Sequence, residues 1–104
     1  MNDTDRNKIE AAAWRSLMDH LQKRTDAQNI DLMNLAGFCR NCLYKWMIKA
    51  AHDQGIELSK DEAIMAVYGM SVEEWKANHQ TKASEQQLKT FEDTRPLHSD
   101  ISGH

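Results

Sequence analysis

Three serines each stand three residues ahead of a carboxylate or carboxamide: Ser59 before Glu62, Ser71 before Glu74, and Ser84 before Gln87. This is the capping-box pattern. The hydroxyl accepts from one unpaired helix amide, and the acid or amide reaches back to another. Three such starts in close succession commit the second half of the chain to short helices over 59–68, 71–79 and 84–92. Gly69, between the first two, suits a left-handed helix end. One Pro, four Gly and only two Val leave little material for hairpins or a sheet.

The first half is helical by periodicity. Ile9, Ala13, Trp14, Leu17, Met18 and Leu21 recur at i, i+3, i+4 spacing, which predicts a helix over 6–24. Residues 22–29 are polar and read as a connection. A longer second helix is expected over 30–54, beginning near Asn29 or Asp31, with Gly55 at its stop. The predicted fold is all-α, a compact bundle or array of about five helices forming one domain over 1–92. Residues 93–104 hold the lone Pro and no apolar period, and are expected to form a mobile C-terminal tail.

Within 30–54, a 100° step from Leu32 gathers Leu32, Leu35, Ala36, Cys39, Cys42, Leu43, Trp46, Met47 and Ala50 on one stripe, predicted to face the core. The other side mixes Asn34, Asn41, Lys45 and His52 with Met33, Phe38, Tyr44 and Ile48. A helix apolar on two sides is either central in the bundle or half of a dimer interface. Gly37 in its middle costs about 1 kcal/mol relative to Ala, which points to close helix approach or a kink.

Cys39-Arg40-Asn41-Cys42 is the one constellation with chemical content. Spacing of i and i+3 puts both sulfurs on one helical face, within reach of a single soft metal ion such as zinc. Zinc takes four ligands, so His20, His52, His79, a carboxylate or a second subunit would have to complete the set; His20 is the candidate carried with the pair. A redox reading makes Cys39 the attacking thiolate and Cys42 the resolving thiol. It requires Cys39 at a helix N-terminus, and therefore a helix that restarts after Gly37. The third reading is two reduced thiols packing as small apolar residues.

A second candidate is the polar stretch from Arg24 and Asp26 through Asn34, Phe38 and Arg40 to Asn41, Tyr44 and Lys45, read as an interaction surface. Its plainer alternative is a capped interhelix loop in which Asp26, Asn29 or Asp31 caps a helix and Arg24 pairs with a carboxylate. Trp14, Trp46 and Trp75 lie on apolar stripes and read as core anchors. There is no Gly-rich phosphate loop, nucleophile elbow or HExxH pattern.

Composition bounds the partners. The net charge of -3 supplies no electrostatic drive toward nucleic acid or an anionic membrane, and no apolar run approaches the length of a membrane span. The opening MNDTDRNK lacks the apolar region of a signal peptide, and two Cys make no disulfide framework, so a reduced cytoplasmic setting is expected. The partners expected are a second copy of the chain or another protein.

The run RTDAQNIDLMNLAGFCRNCLYKW over 24–46, with YGMSVEEWKANHQ over 68–80, resembles an uncharacterised bacterial family known as domain of unknown function 1244. The resemblance spans roughly residues 10–92. It implies a compact helical domain in a bacterial cytosol and supplies no activity. It marks the Arg24–Lys45 stretch and the Tyr68–Trp75 segment as family-typical. The functional expectation is a small non-enzymatic helical interaction module, homodimeric through the second helix or docking a partner there through Met33, Phe38, Tyr44 and Ile48. Metal binding and thiol redox chemistry at Cys39 and Cys42 are the alternatives.

Overall fold

The computed structural model describes residues 1–100. They form α1 (Asp3–Lys23), α2 (Asn29–Ala36), α3 (Arg40–Asp53), α4 (Lys60–Tyr68), α5 (Val72–His79) and α6 (Glu85–Thr94), followed by a short 3-10 turn, Arg95–Leu97. The fold is all-α. None of these helices is long and apolar enough to cross a membrane.

Each start follows from local chemistry. Asn2 caps α1 by accepting from the Asp5 amide at 2.8 Å, and Asp3 and Asp5 sit at the positive end of the helix dipole. At Ser59 and Ser84 both halves of the capping box form. The Glu62 and Gln87 amides each donate to a serine hydroxyl at 3.1 Å, and both side chains accept from the serine amide in return. At Ser71 the hydroxyl half is present, with the Glu74 amide donating at 3.1 Å.

The single helix expected over 30–54 is two helices. Gly37 adopts the left-handed conformation at φ 78° and closes α2, its amide donating to the Met33 carbonyl at 2.9 Å. The chain then re-enters helix with Cys39 as the residue before α3. This break shifts the two halves out of phase and overturns part of the predicted stripe. Leu35, assigned to the core side, is 86% exposed, whereas Met33, assigned to the outer side, is 2% exposed. Tyr44 also turns inward. A dimer face built on Met33 and Tyr44 therefore lacks two of its four apolar contacts, because both side chains already pack inside this chain.

α4 lies centrally, packed against α1, α3 and α5, while α6 packs on α2. The main core joins Met18 and Leu21 of α1, Leu43 and Tyr44 of α3, Ala63, Ile64, Val67 and Tyr68 of α4, and Trp75 of α5. A smaller cluster holds Met33, Cys39 and Cys42 beneath Phe91 of α6; Leu32, Phe38 and Trp46 border both clusters. The expected tail begins inside α6. His98 packs against Phe91 in a tilted ring contact with centroids 4.8 Å apart, and the Ser99 amide donates to the Gly37 carbonyl at 2.8 Å. Residues 101–104 of that tail lie outside the described residues.

Gly37 is thus constrained twice, by its positive φ and because a Cβ there would lie 2.5 Å from the Leu97 carbonyl oxygen. Gly55 has a similar φ of 69° with nothing within 4 Å of its would-be Cβ. Gly55→Ala is expected to cost about 1–2 kcal/mol from conformation alone. Gly37→Ala is expected to cost at least about 1 kcal/mol more, because Leu97 must also move. Urea unfolding of both variants checks this; equal losses would show that the Leu97 approach carries no weight.

Candidate functional site

Because α3 starts inside it, the Cys39–Cys42 tetrapeptide sends its four side chains to different neighbours. Cys39 and Cys42 are 2% and 0% exposed and sit in the smaller apolar cluster. Burial pushes the Cys39 thiol up to about 11, against the Cys42 and Asn41 backbone amides, which favour the thiolate. The helix start that the redox reading asked for is present, but the thiol it holds is protonated at neutral pH and sealed from reagents. The metal reading lacks its further ligands. His20 is an exposed residue of α1 outside this cluster, and among the described residues no group of three His, Cys, Asp or Glu is placed to hold an ion. Packing is the role this environment supports for both sulfurs.

Arg40, expected on an exposed surface, is 0% exposed. One terminal nitrogen donates to the Ala27 carbonyl at 2.8 Å and to Asn29 Oδ1 at 3.0 Å. The other donates to the Leu21 and Arg24 carbonyls, both at 2.9 Å. The guanidinium carbon lies 4.5 Å from the centre of the Trp75 ring. Every hydrogen-bonding partner is a neutral oxygen. The cation is held by carbonyls at the negative end of α1, by the 24–29 connection and by an aromatic face. Desolvation lowers its pKa, yet a guanidinium stays charged.

Asn29 passes this polarity on. Its Nδ2 donates to the Tyr68 hydroxyl at 3.0 Å, and that hydroxyl donates to Asn41 Oδ1 through a short hydrogen bond. Burial pushes the Tyr68 phenol up to about 12, so it serves here as a neutral hydroxyl. The chain Arg40–Asn29–Tyr68–Asn41 ends at an open cleft of about 710 Å³ between α3, α4 and α5. Asn29, Asn41 and Tyr68 line its floor with Tyr44 and Trp75; Ile64, Met65, Met70 and Val72 form apolar walls, and Lys60, Asp61, Ser71, Glu73, Lys76 and Gln80 complete the lining. This volume lies in the range of ligand pockets.

Tyr44 and Trp75 are 7% and 3% exposed. Neither the Tyr44 hydroxyl nor the Trp75 indole N–H has a hydrogen-bond partner among the described residues, and neither belongs to the unpartnered atoms sealed from solvent, which are Asn34 Oδ1 and Arg40 Nε. Both side chains border the cleft.

Of the predicted surface, Asn41 and Tyr44 meet in this cleft, and the others do not join them. Arg24 and Asp26 form an exposed ion pair at 2.9 Å, and the Arg24 carbonyl belongs to the guanidinium cage. Asn34 donates to the Gln87 carbonyl at 3.0 Å and ties α2 to α6. Phe38 packs on Trp46, with ring centroids 5.8 Å apart, and Lys45 is half-buried on α3. Met65, Tyr68 and Trp75 are cleft residues that sequence reasoning did not assign as a site. The family-typical segments flagged Tyr68 and Trp75, Asn29 lay in the polar 24–45 stretch with capping as its plainer reading, and nothing in the sequence flagged Met65.

A family model, described as Protein of unknown function (DUF1244), matches residues 27–93, and the chain belongs to that family. The matched span begins within the cage around Arg40, contains the whole cleft and omits α1. No curated protein matches the chain.

Two outcomes are expected from this geometry. Arg40→Met leaves the Leu21 and Ala27 carbonyls and the Asn29 amide oxygen without their Arg40 donor, and the Arg24 carbonyl with the Ala27 amide alone. It should lower stability by about 2–4 kcal/mol in urea unfolding, and a loss under about 0.5 kcal/mol would mean the cage is dispensable. Stability should also fall as pH rises from 9 toward 11, because the folded state keeps the Cys39 proton to about 11 while the unfolded chain releases it near 9. Cys39→Ala should delay that fall to pH 10 and above, where Tyr68, held protonated to about 12, contributes in the same direction. Coincident urea midpoints for the two proteins at pH 8, 9.5 and 10.5 would overturn the assignment.

Proposed function

We propose that this protein is a small, non-enzymatic helical module that recognises a segment of a protein partner in the cleft between α3, α4 and α5. The observation that carries the reading is an open, Met-walled cleft floored by the nearly buried aromatic side chains of Tyr44, Tyr68 and Trp75. Met65 is 53% exposed on that wall, and methionine adapts its shape to varied apolar partners. Such a surface favours holding over chemistry. Tyr68, the one strongly shifted group in the cleft, keeps its proton to about pH 12, far from the range useful for proton transfer near neutrality.

The reading moves recognition from the second helix to the cleft, since Met33 is enclosed by its own chain. Asn41 and Tyr44 are retained from the sequence-derived surface. The compartment proposed is a reduced bacterial cytosol, for which the two free thiols and the family resemblance are the support.

Display selection from a random heptapeptide library tests the reading. Wild-type protein is expected to enrich peptides sharing a motif, and Met65→Arg should weaken them at least about tenfold with an unchanged melting temperature. No enriched motif, or binding indifferent to Met65→Arg and Val72→Arg, would remove the cleft as the recognition site.

A further inference from the structure

The cover over the two sulfurs is the least anchored helix of the fold. The main core is built from α1, α3, α4 and α5, and α6 contains no buried residue. It packs on α2 and sets one half-buried ring, Phe91, over Met33, Cys39 and Cys42. Leu88, its other large apolar residue, is 51% exposed. Part-buried hydrogen bonds tie it to α2: Asn34 Nδ2 donates to the Gln87 carbonyl at 3.0 Å, and Gln87 Nε2 donates to Asp31 Oδ1 at 2.9 Å. Asn34, which meets α6 through its amide nitrogen, has an Oδ1 sealed from solvent without a partner, a cost that the closed state bears. A helix of 10 residues with so little buried apolar surface is marginal by itself and opens at lower free energy than the core. Residues 80–83, which form no helix, supply the joint.

Under this cover the thiols are arranged for disulfide chemistry. Cys39 stands immediately before α3 with an extended backbone, and Cys42 lies in the first turn. The side chain and the backbone amide of Cys42 both interact with the Cys39 sulfur. Burial is the largest influence on the Cys39 thiol and disfavours its ionisation, whereas the Cys42 and Asn41 backbone amides favour the thiolate. Lifting α6 removes the first influence and leaves the second, because both amides belong to α3. Opening therefore admits a reagent and activates the nucleophile together.

We infer that α6 and the turn after it form a lid over a redox-sensitive thiol pair, which a low-molecular-weight disulfide converts to a Cys39–Cys42 disulfide when the lid opens. The Cys39 thiolate attacks one sulfur of the small disulfide, forming a mixed disulfide and releasing one thiolate. The Cys42 thiolate then attacks the Cys39 sulfur, forming the protein disulfide and releasing the second thiolate. The small disulfide takes up the two electrons, and the two protons lost by the protein thiols go to the departing thiolates. This is a modification of the module and stands apart from the cleft reading. In a reduced compartment a disulfide of this kind is transient.

The test follows the reduced full chain with excess hydroxyethyl disulfide by intact mass, in urea concentrations below the unfolding transition of each protein. Wild type is expected to react there and to end as a species about 2 Da lighter than the reduced chain, with no lasting adduct. Cys42→Ser should stop at the mixed disulfide on Cys39. Phe91→Ala, which loosens the lid, should speed the reaction at least about tenfold. Val67→Ala and the milder Ile64→Val weaken the main core and should leave the rate within about twofold. If the core variants sped the reaction as much as Phe91→Ala, the thiols would be reached by unfolding of the whole chain, and there would be no lid. Adducts that persist on wild type without giving the lighter species would remove the disulfide. A Cys39→Ser chain that took up reagent as fast as Cys42→Ser would reverse the order of attack. No reaction below the urea transition would overturn the proposal entirely.

Discussion

A buried guanidinium holds α1, α2, α3 and α5 together. The oxygens that receive Arg40 come from one stretch of chain, Leu21, Arg24, Ala27 and Asn29, so the end of α1 and the connection after it wrap around the first residue of α3. Trp75 of α5 closes the remaining side. Burying an ion without such partners is costly, and here the dipole of α1, four oxygens and an aromatic face offset the lost hydration. Lysine would not substitute. Its compact ammonium has no planar fork to reach two pairs of acceptors while stacking on a ring.

This arrangement needs α3 to begin at residue 40, and Gly37 makes that possible. Ending α2 in a left-handed turn lets the chain swing into a second helix, with Cys39 extended between them. The same turn exposes the Gly37 carbonyl, which receives the Ser99 amide, so the segment after α6 closes over the break. Beneath it the two thiols fill the small cluster as apolar residues, with Phe91 above them. A motif that looks like chemistry in sequence is thus divided among packing, caging and the floor of a cleft.

The cleft is a consequence of the cage. Asn29 faces Arg40 on one side and Tyr68 on the other, and Tyr68 reaches Asn41, which follows Arg40 in the chain. Residues that stabilise the junction of α2, α3 and α4 also line the cleft, so its floor is ordered by the same hydrogen bonds that hold the junction together.

Much of the fold was legible in the sequence because its signals are local. The caps at Ser59, Ser71 and Ser84, the left-handed stop at Gly69 and the apolar period of α1 each depend on residues within a few positions of one another, and each was read at its place. Together they determined an all-α chain and most helix starts. The break at Gly37 was readable only as a kink or a close approach, since ending the helix there involves Leu97 and Ser99, some sixty residues further along. That break reset the phase, which is why Leu35 and Met33 exchanged sides. Arg40 read as a surface charge because nothing near it in sequence announces a ring of carbonyls, and backbone oxygens carry no residue code. Tyr68 and Trp75 read as core for a similar reason: an aromatic residue's period shows that it is buried, whereas the direction of its one polar atom is decided by the helices packed around it.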